Sequence, residues 1–227
     1  LAKLTGNATY SDWATKSYQW SNGSGLVENY NVFQGTSVRD CEEIDHSQWT
    51  DNAGTYIIGA AYMYNVTDGS SIWKSTLDGL LNKTLTTFFP DGIAKELCEA
   101  TGCPDSQHIA KGILIRNLVD TMSITPYTSS VILPVVRTTA VAAAKACDEN
   151  RCAFEWNWKE TNSSNDLEND LSALQAVQAL LSEQNFQAKA GSGDVSGGIA
   201  KPSGNVGNNL RTGLMSVIFG TMITVLL

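Results

Sequence analysis

The sequence lacks the residues that most zinc sites and nucleic-acid interfaces need. It has two histidines, and its five cysteines include no pair with the C-x2-C spacing that is common in zinc sites. Its formal net charge at pH 7 is -8, with 15 Lys and Arg against 23 Asp and Glu, which is the wrong sign for binding a phosphate backbone. We therefore expect no metal, no other cofactor and no nucleic-acid partner.

Two pairs of cysteines are each five residues apart, Cys98 with Cys103 and Cys147 with Cys152. Short loops close at low entropic cost, so we predict a disulfide within each pair and no partner for Cys41. The sequence also contains five N-x-[ST] sequons. Together with paired cysteines, they indicate passage through the endoplasmic reticulum. The predicted glycosylation sites are Asn7, Asn22, Asn65, Asn82 and Asn162.

The C-terminal part has the composition of a GPI-attachment signal. Residues 186–213 form a linker rich in Gly, Ser and Asn, with small residues at Ser203, Gly204 and Asn205. Residues 214–227 are an uncharged apolar run, shorter than the roughly 20 residues of a transmembrane helix. We predict GPI attachment at one of the three small residues, no fixed structure in the linker, and no packing of the apolar run into the core. The alternative is a tail helix packed in the core.

A GPI-attached protein must first enter the secretory pathway, yet the first 20 residues lack the basic and apolar regions of a signal peptide. They have the pattern of the later part of a helix. Together with the unpaired Cys41, this pattern predicts that an N-terminal portion of the protein is missing from the sequence.

Helical patterns dominate the remaining chain, and no βαβ pattern appears. From Asn52 to Tyr64 nearly every position is small or apolar, which predicts a buried inner helix. From Ser70 to Phe88 the apolar residues recur on one face, which predicts an outer helix packed against it. Further helices are expected over residues 10–20, 105–122, 131–147 and 166–181.

Several side chains have an expected orientation in these helices. Residues 131–147 are predicted to form another inner helix with Pro134 in its first turn. The helix at 105–122 is expected to expose Lys111 and Arg116. Trp13 and Trp20 are expected to pack against neighbouring helices, with sugar binding as the alternative. The stripe predicted to face the core at 166–181 consists of Leu167, Leu171, Leu174, Val177 and Leu181. The loop aromatics Phe154, Trp156 and Trp158 either stack on sugar rings or cover the core.

In order and spacing, a set of short motifs resembles the fungal GPI-anchored members of glycoside hydrolase family 76, the endo-1,6-alpha-mannanases of the yeast cell wall. The resemblance covers residues 1–185. The motifs are TGNATYSDWA at 5–14, the QWTDN, GAAYMYN block at 48–65, Trp73, the LCE and Cys pattern at 97–103, Lys111 with Gly112 and Arg116, PYT at 126–128, AVAAA with Cys at 140–147 and SALQAVQ at 172–178.

The resemblance implies an all-α fold, an (α/α)6 toroid of paired inner and outer helices that is incomplete here at its N-terminal side. It also implies hydrolysis of alpha-1,6-mannan, or transfer of GPI-linked wall proteins onto wall glycan. The family's catalytic pair is two adjacent aspartates, and no Asp-Asp occurs in these 227 residues. The adjacent acids Glu42 with Glu43 and Asp148 with Glu149 lie in polar loops, where solvated charge is the expected role. We expect no catalytic residue in this chain.

Four residues match the family pattern and are candidates for the substrate side of the cleft: Trp49, Asn52, Gln107 and Lys111. A structural role, as helix cap, core aromatic or solvated face, is the alternative for each. The sequence departs from the family at Asp51, at Ser106 and at residues 168–170, which affects the lining of the sugar site. The implied partners are alpha-1,6-linked mannan or GPI glycan, and a membrane through a GPI lipid.

Two hypotheses of different class follow. The first is an enzyme of the plasma-membrane outer face and cell wall, a mannan endo-1,6-alpha-mannosidase or transglycosidase of which this chain is the C-terminal part. The second is a non-catalytic, GPI-anchored wall protein with a mannan-binding cleft. The missing aspartate pair favours the second hypothesis for this chain, and the missing signal peptide favours an incomplete sequence.

Overall fold

A computed structural model describes residues 1–39, 42–148, 151–157 and 166–191 of the chain, with side chains described up to Leu181. Several predictions concern residues outside these ranges. They are the free Cys41, the second acid of the pair at 148–149, Trp158, the sequon at Asn162, the attachment residues at 203–205 and the apolar run at 214–227.

The described chain consists mainly of helices joined by short connections. Two small antiparallel hairpins interrupt the N-terminal part, pairing β1 (Val27–Glu28) with β2 (Asn31–Val32) and β3 (Gly35–Thr36) with β4 (Ile44–Asp45). The helices are α1 (Ala2–Thr5), α2 (Ala8–Gly23), α3 (Thr50–Val66), α4 (Ser71–Phe88), α5 (Ala110–Ile124), α6 (Ser129–Lys145) and α7 (Leu167–Gly191). Short 3-10 turns at Asp105–Gln107 and Pro126–Thr128 precede α5 and α6. None of the helices in these ranges is long and apolar enough to cross a bilayer.

An inner layer is formed by α3, α5 and α7. In this layer α3 packs on α5 and α5 packs on α7, although α4 and α6 lie between them in the sequence. The predicted inner helix at 52–64 is confirmed by α3, whose buried residues include Ala53, Ile57 and Ala61. In α5 ten of 15 residues are buried, so it too is surrounded on most sides. The outer layer contains α4, which packs on α3, and α6, which packs on α7 and α5.

The prediction that residues 131–147 form an inner helix is wrong. One face of α6 is buried, at Ile132, Val136 and Ala140, whereas Val131 and Val141 are about half exposed. Pro134 is the sixth residue of α6 and not part of its first turn. The abundance of Val and Ala suggested burial on all sides, but the neighbouring helices cover only one.

Glycines allow the inner helices to approach each other closely. A Cβ atom on Gly54 of α3 would lie 3.1 Å from Cα of Leu114 in α5. A Cβ atom on Gly112 of α5 would lie 2.7 Å from Cα of Ser172 in α7, which is closer than non-bonded carbons can come. The Gly112 N–H instead donates to Oγ of Ser172 at 3.0 Å. The absence of a side chain at Gly112 therefore sets the distance between α5 and α7.

The leucine stripe predicted to face the core on α7 is wrong. Leu167 is 66% exposed and Leu174 is 50% exposed, while Ala173, Ala176 and Ala179 are buried. The small residues face α5 and α6 because the close approach at Gly112 leaves no room for leucine. The helix also continues to Gly191, so the predicted unstructured linker does not begin at residue 186.

The helix predicted at residues 10–20 is present as α2, but its tryptophans do not pack as expected. Trp13 is 62% exposed and Trp20 is 54% exposed. Tyr18 is the aromatic residue of α2 that packs inward, with its ring centroid 5.4 Å from that of Trp73 and 6.4 Å from that of Tyr56. Packing of α2 against α3 and α4 therefore depends on Tyr18.

Candidate functional site

The N-terminal ends of the three inner helices are joined by polar contacts at one face of the fold. We call this region the N-terminal face: the first turns of α3, α5 and α7, the loop at 93–108 before α5, and residues 151–157. It contains Asn52, Gln107 and Lys111 of the four predicted substrate-side residues, and the fourth, Trp49, directly precedes the first turn of α3. The contacts below show how the face is held together.

Glu96 caps the start of α3 from a distant loop. Its Oε1 atom accepts the backbone N–H of Thr50 at 3.2 Å and also the Thr50 hydroxyl. Trp49, the residue before α3, makes no side-chain capping hydrogen bond, so the carboxylate of Glu96 satisfies a donor that the helix leaves open. A negative charge at a helix N-terminus is favourable. The orientation of the first turn of α3 therefore depends on the loop that carries Glu96.

The environment of Glu96 raises its pKa to about 7, mainly because burial disfavours the charged form. The hydrogen bonds from Thr50 and the charge of Lys111 act in the opposite direction. A pKa near 7 would suit a general acid, but Glu96 is 0% exposed. The carboxyl group therefore supports the face from within and has no surface open to solvent.

Glu99 and Lys111 continue the network. The Glu99 Oε1 atom accepts from the backbone N–H of Glu96 at 2.8 Å and from Nζ of Lys111 at 2.7 Å. Lys111 also donates to the carbonyl oxygen of Phe154, and its Nζ lies 4.2 Å from the ring centroid of Phe154 and 4.4 Å from that of Trp156. Burial lowers the pKa of Lys111, and Glu99 counteracts the shift. The ammonium group thus joins α5 to the two loops beside it.

A second contact joins the starts of α5 and α7. His108 Nδ1 is hydrogen-bonded to Oδ2 of Asp166, and the His108 ring stacks on Phe154 with centroids 4.5 Å apart. Asp166 Oδ1 accepts the backbone N–H of Glu168 at 3.0 Å, so Asp166 caps α7. Hydrogen bonding from Glu168 and from His108 lowers the pKa of Asp166. The N-terminal ends of all three inner helices are thereby fixed relative to one another.

Three of the predicted residues have accessible surface at this face. Trp49 and Asn52 are half-buried at the start of α3, and Asn52 Nδ2 donates to Oε1 of Gln34 at 3.1 Å. Gln107 is half-buried in the turn before α5, and its Oε1 is buried without a hydrogen-bond partner among the described residues. Beside Asn52, burial raises the pKa of Asp51.

The interpretation of Lys111 as a substrate-side or solvated residue is corrected by the structure. Lys111 is 0% exposed, so a sugar entering from solvent does not meet it. The sequence around Lys111 does not show this burial, because its partners Glu99 and Phe154 are 12 and 43 residues away. No sequence pattern identifies a role for Glu96 or His108, because their partners Thr50 and Asp166 lie 46 and 58 residues away.

Both predicted disulfides are present. Cys98 is bonded to Cys103 with a Cα–Cα distance of 5.0 Å, and Cys147 to Cys152 with a distance of 3.9 Å. The first closes a ring that includes Glu99 and begins two residues after Glu96. The second lies beside Asp170 of α7, whose Oδ1 accepts the Cys152 N–H at 2.8 Å. Each disulfide therefore stabilises a loop that supports the N-terminal face.

The aromatic loop covers the core more than it faces solvent. Trp156 is 4% exposed, and Phe154 is held between His108 and Lys111. Of the acid pairs, Glu42 and Glu43 are exposed, as is Asp148. Within the described ranges no group of three or more His, Cys, Asp or Glu side chains is arranged to hold a metal.

Comparison with known proteins identifies relatives along most of the chain. The family model for glycosyl hydrolase family 76 matches residues 1–191. A Schizosaccharomyces pombe relative is 41% identical over 209 residues, which are 87% of this chain and 47% of that protein. The mannan endo-1,6-alpha-mannosidase DFG5 of Saccharomyces cerevisiae is 33% identical over 93% of this chain and 48% of its own length.

A solved structure has the same fold. The crystal structure of Dfg5 from Chaetomium thermophilum in complex with glucosamine superposes with a TM-score of 0.74 at 33% identity. It covers 81% of this chain and 48% of the Dfg5 chain. The match confirms the predicted α/α toroid of inner and outer helices. The chain spans about half the length of the relatives that it matches.

Proposed function

Because the chain belongs to glycosyl hydrolase family 76, we propose that it is part of a fungal cell-wall enzyme acting on alpha-1,6-linked mannan or on the mannan of GPI glycans. The reaction is hydrolysis or transglycosylation. In this proposal the N-terminal face forms one wall of the substrate cleft. The observation that supports it most is the polar network of Glu96, Glu99 and Lys111, which holds the first turn of α3 in place from behind.

The sugar-contacting residues of this wall are Trp49, Asn52 and Gln107. All three have accessible surface, and they supply an aromatic ring and two amide groups, of which the Gln107 Oε1 is buried. Such a combination suits a pyranose, whose ring has an apolar face and whose hydroxyls need donors and acceptors. Lys111 contributes indirectly, because it neutralises Glu99 and so keeps the loop at 93–103 against α3.

Catalysis requires two carboxyl groups placed on either side of the glycosidic bond. The chain has no Asp-Asp pair, and Glu96, the carboxyl group whose pKa is about 7, is buried. This combination favours a second function for the chain on its own, the binding of mannan without turnover. Both functions use the same wall of the cleft, and a turnover assay distinguishes them.

We further propose that the protein enters the secretory pathway and is held at the outer face of the plasma membrane or in the cell wall by a GPI lipid. The two disulfides support an oxidising compartment. Mass spectrometry of the mature protein tests the anchor, since attachment at Ser203, Gly204 or Asn205 removes the residues that follow it.

Binding is tested by titrating the chain with alpha-1,6-mannotriose in a calorimeter. Wild type should bind, and Trp49→Ala should weaken the affinity by about tenfold or more, equivalent to about 1.4 kcal/mol. Trp13→Ala is the matched control, because Trp13 is an exposed tryptophan of α2. Equal effects of the two substitutions, or equal binding of maltotriose, would contradict the proposed cleft wall.

Turnover is tested separately on an alpha-1,6-mannooligosaccharide. The chain alone should release no product. Turnover that is abolished by Glu42→Gln with Glu43→Gln would show that the catalytic acids lie in this chain after all.

A further inference from the structure

An open groove lies on the outer layer between α4 and α6, away from the N-terminal face. Its volume is about 290 Å³, and it is lined by Lys74, Asp78, Leu81, Asn82, Leu85, Tyr127, Thr128 and Val131. Most ligand pockets have volumes from about 300 to 1,000 Å³, so the groove has room for a single sugar ring and not for a chain of them.

The polar end of the groove is fixed by three side chains. Lys74 Nζ contacts Oδ2 of Asp78 at 2.6 Å, and the Tyr127 hydroxyl donates to Oδ1 of Asp78 at 3.0 Å. The Lys74 ammonium lies 4.5 Å from the Tyr127 ring centroid, and Tyr64 packs edge-on against the same ring. Both carboxylate oxygens of Asp78 are engaged, so this end of the groove is preorganised.

The opposite flank is apolar and accessible. Val131 is 50% exposed, and it lines the groove together with Leu81 and Leu85. An exposed valine beside a preorganised polar group forms an amphipathic surface. One face of such a groove can hold a methyl group or the apolar side of a sugar ring, and the other can bind hydroxyl groups.

Asn82 is both a lining residue of this groove and the first residue of the sequon Asn-Lys-Thr at 82–84. It lies one helical turn after Asp78, on the same side of α4. Its side chain is exposed, and its amide group makes no hydrogen bond among the described residues. The amide nitrogen that would carry a glycan is therefore free of hydrogen bonds and lies at the edge of the groove.

We propose that the groove between α4 and α6 holds the first N-acetylglucosamine of a glycan attached to Asn82. The acetamido methyl and one ring face pack on Val131 and Leu85, and ring hydroxyls face Lys74 and Asp78. The sugar covers apolar surface that the outer layer otherwise leaves in water. This proposal rests on the proposed passage through the secretory pathway but is independent of mannan binding.

The test begins with expression behind a secretory leader in a yeast host, followed by peptide mass mapping. Sugar on Asn7, Asn22 or Asn65 with Asn82 empty would overturn the groove proposal and leave the secretory pathway intact. Sugar on Asn82 allows the stability measurement. Endoglycosidase H then leaves one N-acetylglucosamine on each site, whereas peptide N-glycosidase F removes all sugar and converts Asn to Asp.

The melting temperature should be higher by about 2 to 4 °C for the protein that retains the single sugar than for Asn82→Gln treated in the same way. Asn65→Gln is the matched control and should lower it by less, because Asn65 does not line the groove. Asn82→Asp is the control for protein treated with peptide N-glycosidase F, because that enzyme converts Asn82 to aspartate and so adds a negative charge. Equal melting temperatures of wild type and Asn82→Gln after endoglycosidase H would overturn the proposal.

Val131→Ser provides the second measurement. It should lower the melting temperature more when Asn82 carries the sugar than in the Asn82→Gln background, because only the first protein loses a sugar contact. Effects that are equal in the two backgrounds would show that the sugar does not lie in the groove.

Discussion

The carboxylate of Glu96 accepts two hydrogen bonds from Thr50, a residue 46 positions earlier in the chain. Glu96, two residues before the disulfide between Cys98 and Cys103, thereby caps the inner helix that Trp49 precedes and that carries Asn52. The first turn of α3 would otherwise leave the Thr50 N–H without this acceptor. The position of the proposed cleft wall therefore depends on the hydrogen bonds between Glu96 and Thr50.

Glu96→Gln should reduce the dependence of stability on pH. In the folded chain the pKa of Glu96 is about 7, above its ordinary value of 4.5, so the folded state binds the proton more tightly than the unfolded state. This contribution to the unfolding free energy decreases as pH rises from about 4.5 to about 7, by at most about 3 kcal/mol. Glutamine does not ionise, so the decrease should be absent.

Urea unfolding at pH 5 and at pH 8 measures this difference. Glu28→Gln, a change at an exposed carboxylate of β1, should retain the pH dependence of the wild type. An unchanged pH dependence in Glu96→Gln would mean that Glu96 is not the group that titrates.

Lys111→Met should be strongly destabilising although methionine fits a buried position. Removal of the ammonium leaves the buried carboxylate of Glu99 without its cation, and such losses typically cost about 3 to 5 kcal/mol. Arg116→Met is the control on the same helix, and as a surface change it should stay within about 0.5 kcal/mol of wild type. The double variant Lys111→Met with Glu99→Gln should recover part of the loss. Similar unfolding free energies for the two single variants would refute the buried ion pair.

Gly112→Ala should separate α5 from α7. The new Cβ atom would lie 2.7 Å from Cα of Ser172, and overpacking of this kind costs about 1 to 3 kcal/mol. Gly59→Ala in α3 is the matched control, because no atom lies within 4 Å of its added Cβ. That change should stabilise the chain by about 0.5 to 1 kcal/mol. In thermal unfolding, the melting temperature should therefore fall for Gly112→Ala and rise for Gly59→Ala.

Leu171→Gln with Leu174→Gln should leave the unfolding free energy of the chain within about 1 kcal/mol of wild type, since Leu171 is 39% exposed and Leu174 is 50% exposed. Ala176→Leu, on the buried side of α7, should cost about 1 to 3 kcal/mol. Chemical denaturation of the two variants decides which face of α7 is packed. The reverse order of stability would restore the leucine stripe as the core face.

Much of the fold could be predicted because its determinants are local. The uniformly small and apolar run of α3 and the one-sided pattern of α4 identified an inner and an outer helix. The cysteine pairs identified both disulfides, since a loop of five residues brings its ends together in almost any fold. Trp49 and Asn52 could be placed at a helix start for the same reason, because capping and periodicity are read from neighbouring residues.

The sequence by itself thus determined where the helices form and which short loops are closed, while the tertiary structure decided which sides of α6 and α7 are buried. On α7 the leucines form the stronger apolar stripe, yet the alanines are buried, because Gly112 brings α5 too close for a leucine to fit. Lys111 is fully buried in the first turn of α5, where a charge without a partner would be very unfavourable, because Glu99 and Phe154 come to it from other parts of the chain. Burial depends on partners, and no local pattern identifies a partner that lies 43 residues away.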